Sequence, residues 1–291
     1  MRPSRSSAAE PPAPPLDLEL KYKADPRFLP ADVPFVELHF ESATADYVRR
    51  AAQARHGRFV TWLHGFLSQL WSDFEVNGWF DLYPMFVLST EQWRFLLDSG
   101  ANQATESDGP LTSLLDIGAG RGDVSSELAR LFAKTTVTET SRAMCKRLRQ
   151  RGFEVIEGDL AQLDPLPTKF DAVSLLNVLD RCDKPLSLLS AARVHVRAGG
   201  LLIIALVLPY EPVLLQSGQA RPPTERLPIA ARTFEGAATE LVEYVLKPLG
   251  LEVLLLSRTP YLSGGDAGAA LYELDDLIVV CRADAELPVL L

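Results

Sequence analysis

Ser113-Leu114-Leu115-Asp116-Ile117-Gly118-Ala119-Gly120-Arg121-Gly122-Asp123 is the stretch that decides how this 291-residue chain folds. A short apolar run breaks into a glycine-rich turn, and a helix is expected to start near Asp123. Glycine lets the backbone turn sharply and approach a ligand closely, while the free N–H groups at a helix start point toward that ligand. A lone G-x-G-x-G also arises for purely structural reasons, so its meaning rests on its surroundings.

Those surroundings have the spacing of a nucleotide-type site. After a helix predicted over 124–132, Thr135-Thr136-Val137-Thr138-Glu139 has the β-branched composition of a second strand and ends in an acid. Glu139 lies 23 positions after Asp116, where a second parallel strand delivers a carboxylate to two ribose hydroxyls. A dinucleotide dehydrogenase would carry G-x-G-x-x-G, whereas this chain has Asp-Ile-Gly-Ala-Gly-Arg-Gly, with an acid before the first glycine. That order resembles motif I of the class I S-adenosylmethionine-dependent methyltransferases.

Strand-like runs at 114–117, 135–139, 153–157, 170–176 and 201–208 alternate with helical ones, the third helix being placed over 186–196. The pattern predicts an α/β, doubly wound, Rossmann-like sheet. Two more strand-like runs at 252–258 and 271–281, around Ser263-Gly264-Gly265-Asp266, complete seven strands with a closing antiparallel hairpin. Upstream, Phe59, Val60, Leu63, Phe66, Leu67, Leu70, Trp71 and Phe74 recur at helical steps and predict one apolar helix face packed on the main domain. Ser89-Thr90-Glu91-Gln92 has the form of a helix start, with Gln92 three residues after its cap. The expected organisation is a disordered tail over 1–25, a helical extension over 26–109 with a linker at 100–110, the catalytic fold over 110–283, and a short tail over 284–291.

Composition narrows the class. With 47% hydrophobic and 23% charged residues the chain is ordinarily globular, and a net charge of −9 argues against a nucleic-acid binder. Three widely spaced cysteines without C-x-x-C, and four histidines without ligand spacing, predict neither a disulfide framework nor a metal site. The helix after Glu139 carries Lys146, Arg147, Arg149 and Arg151, explained by a solvated face. The tail lacks an apolar signal region, and its prolines and nearby acids fit a transit peptide poorly. The run at 201–209 is too short to span a bilayer. A cytoplasmic monomer without membrane insertion is expected.

Ligands of a parallel sheet bind outside the carboxyl ends of its strands. Those ends supply Asp116 with Gly118, Ala119 and Gly120, then Glu139 with Thr140, then Asp159 with Leu160, then Asn177 with Asp180. Asp159 is placed at the adenine amino group; Gly158-Asp159 is also a common turn. Asp180 has an alternative role as a helix cap, for which Asp183 is the better placed acid.

The run Asn177-Val178-Leu179-Asp180-Arg181-Cys182-Asp183-Lys184-Pro185-Leu186, together with Leu206-Val207-Leu208-Pro209-Tyr210, Arg258-Thr259-Pro260-Tyr261-Leu262 and Leu274-Asp275-Asp276, resembles the DREV family, that of methyltransferase-like protein nine. Met85-Phe86-Val87-Leu88-Ser89 is also similar, and the resemblance extends over about 26–282. It implies methylation of protein histidines at the imidazole N1 (pros) nitrogen in His-x-His motifs with small x, with S-adenosylmethionine as donor and S-adenosylhomocysteine as product. It also implies cofactor contacts at Asp116 to Gly120, Glu139, Asn177 and Tyr261, with Asp180 in the substrate pocket. Tyr210 and Tyr261, aromatic residues near strand ends, are candidate walls for the imidazole with an alternative reading as core or lip residues, and of the two only Tyr261 gains much from the resemblance. The apolar targeting segment of the family's animal members is missing, so their location is not carried over. Two other readings stay open: an imidazole methyltransferase of histidine dipeptides, and a catalytically silent scaffold that binds the cofactor.

Overall fold

The structure is a computed structural model that describes residues 20–53, 84–101, 111–216, 219–264 and 271–283. Its strands are β1 (Met85–Phe86), β2 (Ser113–Ile117), β3 (Lys134–Glu139), β4 (Glu154–Glu157), β5 (Phe170–Leu176), β6 (Val196–Val207), β7 (Leu214–Gln216), β8 (Gln219–Arg221), β9 (Leu251–Gly264) and β10 (Leu271–Ala283). Eight of them form one sheet in the order β1-β9-β10-β6-β5-β2-β3-β4, and β7 pairs with β8 in a separate hairpin. Strands β4, β3, β2, β5 and β6 run parallel, and β10 is antiparallel to both β6 and β9.

The chain winds outward from β2 through β3 to β4 and then returns to lay β5 on the other side of β2. Between β2 and β5 the winding reverses, which opens a crevice at their carboxyl ends. The glycine turn and Asn177 both sit there. Apolar layers cover both faces. One contains Leu115, Val173, Leu202, Leu189 and Leu241. The other contains Leu114, Ile203, Val280, Trp93 and Leu96, the last two from the helix Thr90–Ala101.

That helix starts as its sequence implies. Ser89 Oγ accepts from the Gln92 amide at 3.1 Å, and Gln92 Oε1 accepts from the Ser89 amide at 3.3 Å, a reciprocal capping box. Gly100 and Ala101 end this helix and do not belong to the linker expected there. Of the apolar helix face expected over 59–74, every named residue lies outside the described residues. So do Gly265 and Asp266 of the hairpin loop, the tail over 1–19 and residues 284–291.

The sheet has eight strands where seven were expected. Met85–Phe86 pairs with Ser263 and Leu262, so the N-terminal region contributes an edge strand as well as helices. A two-residue strand has no periodicity to betray it. β6 starts at Val196, five residues before the expected 201, through a register shift in which Phe170 opposes Val196 and Ala172 opposes Leu201. β9 continues through Pro260 to Gly264. Proline is tolerated because that side of the strand is an edge, paired among the described residues only with Phe35 at Leu256 and with β1 at Leu262 and Ser263. No helix among the described residues is long and apolar enough to cross a membrane.

Candidate functional site

The turn after β2 is built by main-chain pairing to β3. The amides of Gly118 and Ala119 both donate to the Thr138 carbonyl, at 3.0 and 3.1 Å. Gly118 has φ +71°, and a Cβ there would lie 2.8 Å from Val178 Cγ2, so the turn rests directly on the loop that follows β5. Gly120, at φ +55°, has open space where its Cβ would be. Room for a ligand thus exists at the carboxyl end of β2.

Asp116 lies beneath that turn and does not face the open space. It is 1% exposed, and its two carboxylate oxygens accept from Ser174 Oγ and Ser125 Oγ, each at 2.5 Å. Burial pushes its pKa up to about 6 against the pull of the two hydroxyls. Asp116 therefore ties β2 to β5 and to the helix Asp123–Ala129, fixing the turn from below. Its hydroxyl partners lie 9 and 58 positions away, beyond any local motif.

Glu139, 8% exposed, joins the turn from β3. Its Oε2 accepts from the Gly120 amide at 2.9 Å, and its Oε1 from the Ser141 amide at 2.7 Å and Thr140 Oγ1 at 3.3 Å. Each oxygen of a carboxylate has two acceptor sites, so capacity for a ligand remains on Oε2. Asp159 is engaged locally: it accepts from the Ala161 amide at 3.0 Å and Gln162 Nε2 at 2.8 Å, while Leu160 is buried in the core. This is the Asx turn that Gly-Asp favours.

The other side of the crevice differs in kind. Asn177 adopts φ +57°, its amide donating to the Ala205 carbonyl at 2.9 Å and its Nδ2 to Asp276 Oδ2 at 2.7 Å. Asp180 is 3% exposed, with Arg181 Nε 3.1 Å from its Oδ2. Burial raises its carboxyl above the usual range, opposed by the Arg181 charge. The Oδ1 atoms of Asn177, Asp180 and Asp276 are all buried without a hydrogen-bond partner. Tyr261, on β9, donates to Met85 Sδ at 2.7 Å, and its hydroxyl pKa is raised by burial and by the Asp276 and Asp180 carboxyls.

Tyr210 stands behind this group and is not a free wall. It is buried, with its hydroxyl 3.4 Å from the Leu179 carbonyl, and burial pushes its pKa up to about 12. The Val213 amide donates to the Asp180 carbonyl at 3.0 Å, so residues 210–213 brace the Asp180 loop from one side. Asp183 does not cap the helix Pro185–His195, whose first residue follows Lys184 with no side-chain cap. Its carboxylate instead accepts from the Thr224 amide at 3.1 Å and from Thr224 Oγ1 at 2.9 Å, pinning the far end of the loop. Asp180 makes no cap either.

Asp276 is the site residue that sequence reasoning did not assign a role. Its signal lay in Leu274-Asp275-Asp276, where alternation puts one acid of the pair on each face of β10: Asp275 pairs with Arg258, and Asp276 is wholly buried. Among the described residues no group of His, Cys, Asp and Glu is placed to hold a metal ion. His195 is a satisfied core residue, with Nε2 accepting from the Leu166 amide at 3.0 Å.

Known proteins bear on this geometry as follows. A stretch of 102 residues is 28% identical to the mitochondrial ubiquinone biosynthesis O-methyltransferase of Schizosaccharomyces pombe, and that match spans 32% of this chain and 37% of the relative. Similar solved structures include the N-methyltransferase NodS of Bradyrhizobium japonicum with S-adenosylhomocysteine, at 16% identity and TM-score 0.43, covering 66% of this chain and 86% of that one. Another is a putative methyltransferase of Bacillus halodurans, at 12% identity and TM-score 0.46, covering 67% and 100%. The DREV methyltransferase family model matches residues 29–283, nearly the whole chain, so the α/β Rossmann-like fold is that of a class I methyltransferase and the protein belongs to the DREV family.

Proposed function

We propose that this protein transfers a methyl group from S-adenosylmethionine to the N1 (pros) nitrogen of histidine in His-x-His segments of protein substrates. The observation that carries the reading is Asp180 Oδ1, a buried carboxylate oxygen without a partner at the end of β5. Such an atom is costly to leave unmet and calls for an N–H donor from outside the chain.

The residues fit the cofactor. Gly120 borders open space, and Glu139 holds the turn's amide while keeping capacity for a ribose hydroxyl. Thr140 and Asp159 follow the carboxyl ends of β3 and β4, on the same side of the crevice, while Leu160 is buried in the core. Bound S-adenosylmethionine supplies an electrophilic methyl on a sulfonium.

Neutral imidazole is already a good nucleophile, so alignment matters more than activation. Asp180 accepts the N3 hydrogen, fixing the tautomer whose N1 lone pair is free to form the bond to the methyl. Its negative charge then stabilises the imidazolium, which loses its proton to Asp180 or to water. Asn177 and Tyr261 close the pocket on the two sides of this contact. Peptide rather than free histidine is favoured by the resemblance around Asn177 to Asp183.

A histidine dipeptide would satisfy the same Asp180 contact. That second reading draws on the partial match to an enzyme named for ubiquinone biosynthesis, a small-molecule pathway. Turnover of labelled S-adenosylmethionine on a His-Ala-His peptide and on free dipeptide, with the product hydrolysed, separates the cases. The expected result is 1-methylhistidine from the peptide. Label only at N3, only on other residues, or faster on the dipeptide contradicts the proposal, and no transfer at all favours a silent scaffold.

A further inference from the structure

The crevice holds two buried carboxyls, Asp180 and Asp276, and the structure treats them differently. Asp180 has an arginine at one oxygen. Among the described residues Asp276 has no cation paired with either oxygen, and its one hydrogen-bond partner is the neutral amide of Asn177, at 2.7 Å. The remaining oxygen of each member of that pair, Asn177 Oδ1 and Asp276 Oδ1, is buried and unmet. A proton shared between the two groups would account for both unmet acceptors of this hydrogen-bonded pair. One hydrogen on Asp276 Oδ1 serves both, turning the pair into an acid–amide ring with two hydrogen bonds.

We propose that Asp276 works as a neutral carboxyl, with Oδ2 accepting from Asn177 Nδ2 and Oδ1–H donating to Asn177 Oδ1, and that it is the positioning residue that locks the Asn177 side chain and leaves Asp180 as the pocket's one charged carboxylate. Surrounding groups agree with that state. Asp180 with Arg181 acts on it from the loop after β5 and Tyr261 adjoins it from β9, while Asp275, next on its own strand, points to the opposite face, where Arg258 neutralises it. Burial and these neighbouring acids push the Asp276 carboxyl well above the usual range, with Asn177 opposing. Burial raises both carboxyls, but Asp180 has the Arg181 charge opposing the rise while Asp276 has only a neutral amide.

The arrangement also sets Asn177, a residue at φ +57°, by tying both its side chain and its main-chain amide. A charged Asp276 would leave the pair one hydrogen short and place two like charges in one crevice, at a cost to binding an imidazole against Asp180. This inference rests on the proposed reaction for its activity arm alone.

Infrared difference spectroscopy on the full chain without substrate, wild type minus Asp276→Asn at neutral pH, reads the proton directly. The expected result is the carbonyl stretch of a protonated carboxyl that persists into the alkaline range. A carboxylate band in its place overturns the proposal whatever the substrate. In the second arm, S-adenosylmethionine turnover on a His-Ala-His peptide is compared for Asp276→Ala and Asp276→Asn. Loss of roughly tenfold to a hundredfold in kcat/KM is expected for alanine, which strands the Asn177 amide. Asparagine, able to accept and donate in the same ring, restores most of that loss with an unshifted pH profile. Equal impairment of the two variants in folded protein contradicts the proposal, because it makes the negative charge the working feature.

Discussion

The two sides of the crevice are finished to different degrees. On the side of β2, β3 and β4, every acid at a strand end is already engaged: Asp116 by two serines, Glu139 by the glycine turn and Ser141, Asp159 by its own turn. On the side of β5, β9 and β10, Asp180 keeps one buried oxygen without a partner, beside the hydrogen-bonded Asn177–Asp276 pair. Preorganised groups suit a ligand that every turnover shares, because the chain stays fixed as it binds. Unmet acceptors suit a variable ligand that brings its own donors, because they reject whatever cannot supply them. On the proposed function, the first side would hold the donor of the methyl group and the second its acceptor.

The largest break in this contrast comes where the sides touch. Replacing Gly118 forces a Cβ into Val178 and a side chain into positive φ, so Gly118→Arg is expected to abolish cofactor binding in calorimetry. Unchanged affinity would show that the turn does not border the site. Next is Asp180→Asn, expected to lower kcat/KM on a His-Ala-His peptide by about 100-fold, the scale of losing one oriented electrostatic contact. Cofactor affinity should stay within about twofold, since Asp180 belongs to the other side. Glu139→Ala should do the reverse, weakening S-adenosylmethionine binding by about tenfold to a hundredfold through loss of charged hydrogen bonds. If both variants lose cofactor affinity equally, the division fails.

Asp116 gives the smallest effect on chemistry and a distinct one on stability. Asp116→Ala strands two serine hydroxyls and is expected to cost ~1–3 kcal/mol in denaturant unfolding. The pH dependence has a definite sign. The folded carboxyl is raised from 3.8 to about 6, so the folded state binds more protons in that window, and stability from this group falls as pH rises through it. Relative to Asp116→Asn, the wild type should lose stability between those values and stay level above them. A wild type that gains stability across the window would contradict the buried, serine-bound geometry.

Local chemistry was legible in the sequence, and long-range closure was not. Apolar runs ended by Gly118 and Asn177 located two strand ends because burial on both faces of a parallel sheet demands such runs, and the β-branched run before Glu139 located a third. Ser89 and Gln92 announced a cap because both partners lie within one helical turn. Asp276 was opaque as a site residue because its partner Asn177 lies 99 positions away, joined only when β10 pairs beside β6. Asp116 was placed at the ligand for the same reason, its serine partners being invisible locally. Asp183 was expected to cap a helix, but Thr224, 41 positions on, competes for its carboxylate and wins with three hydrogen bonds to the residue. Pro260 hid the second half of β9, since edge position is a property of the sheet and not of the strand.

The division between the two sides is tested most directly by the structure of a ternary complex with S-adenosylhomocysteine and a His-Ala-His peptide. The expected complex has the cofactor's ribose on Glu139 and a histidine ring N–H within hydrogen-bond distance of Asp180 Oδ1. A peptide imidazole seated elsewhere, with Asp180 Oδ1 still unmet, would contradict the assignment of the acceptor to the β5 side.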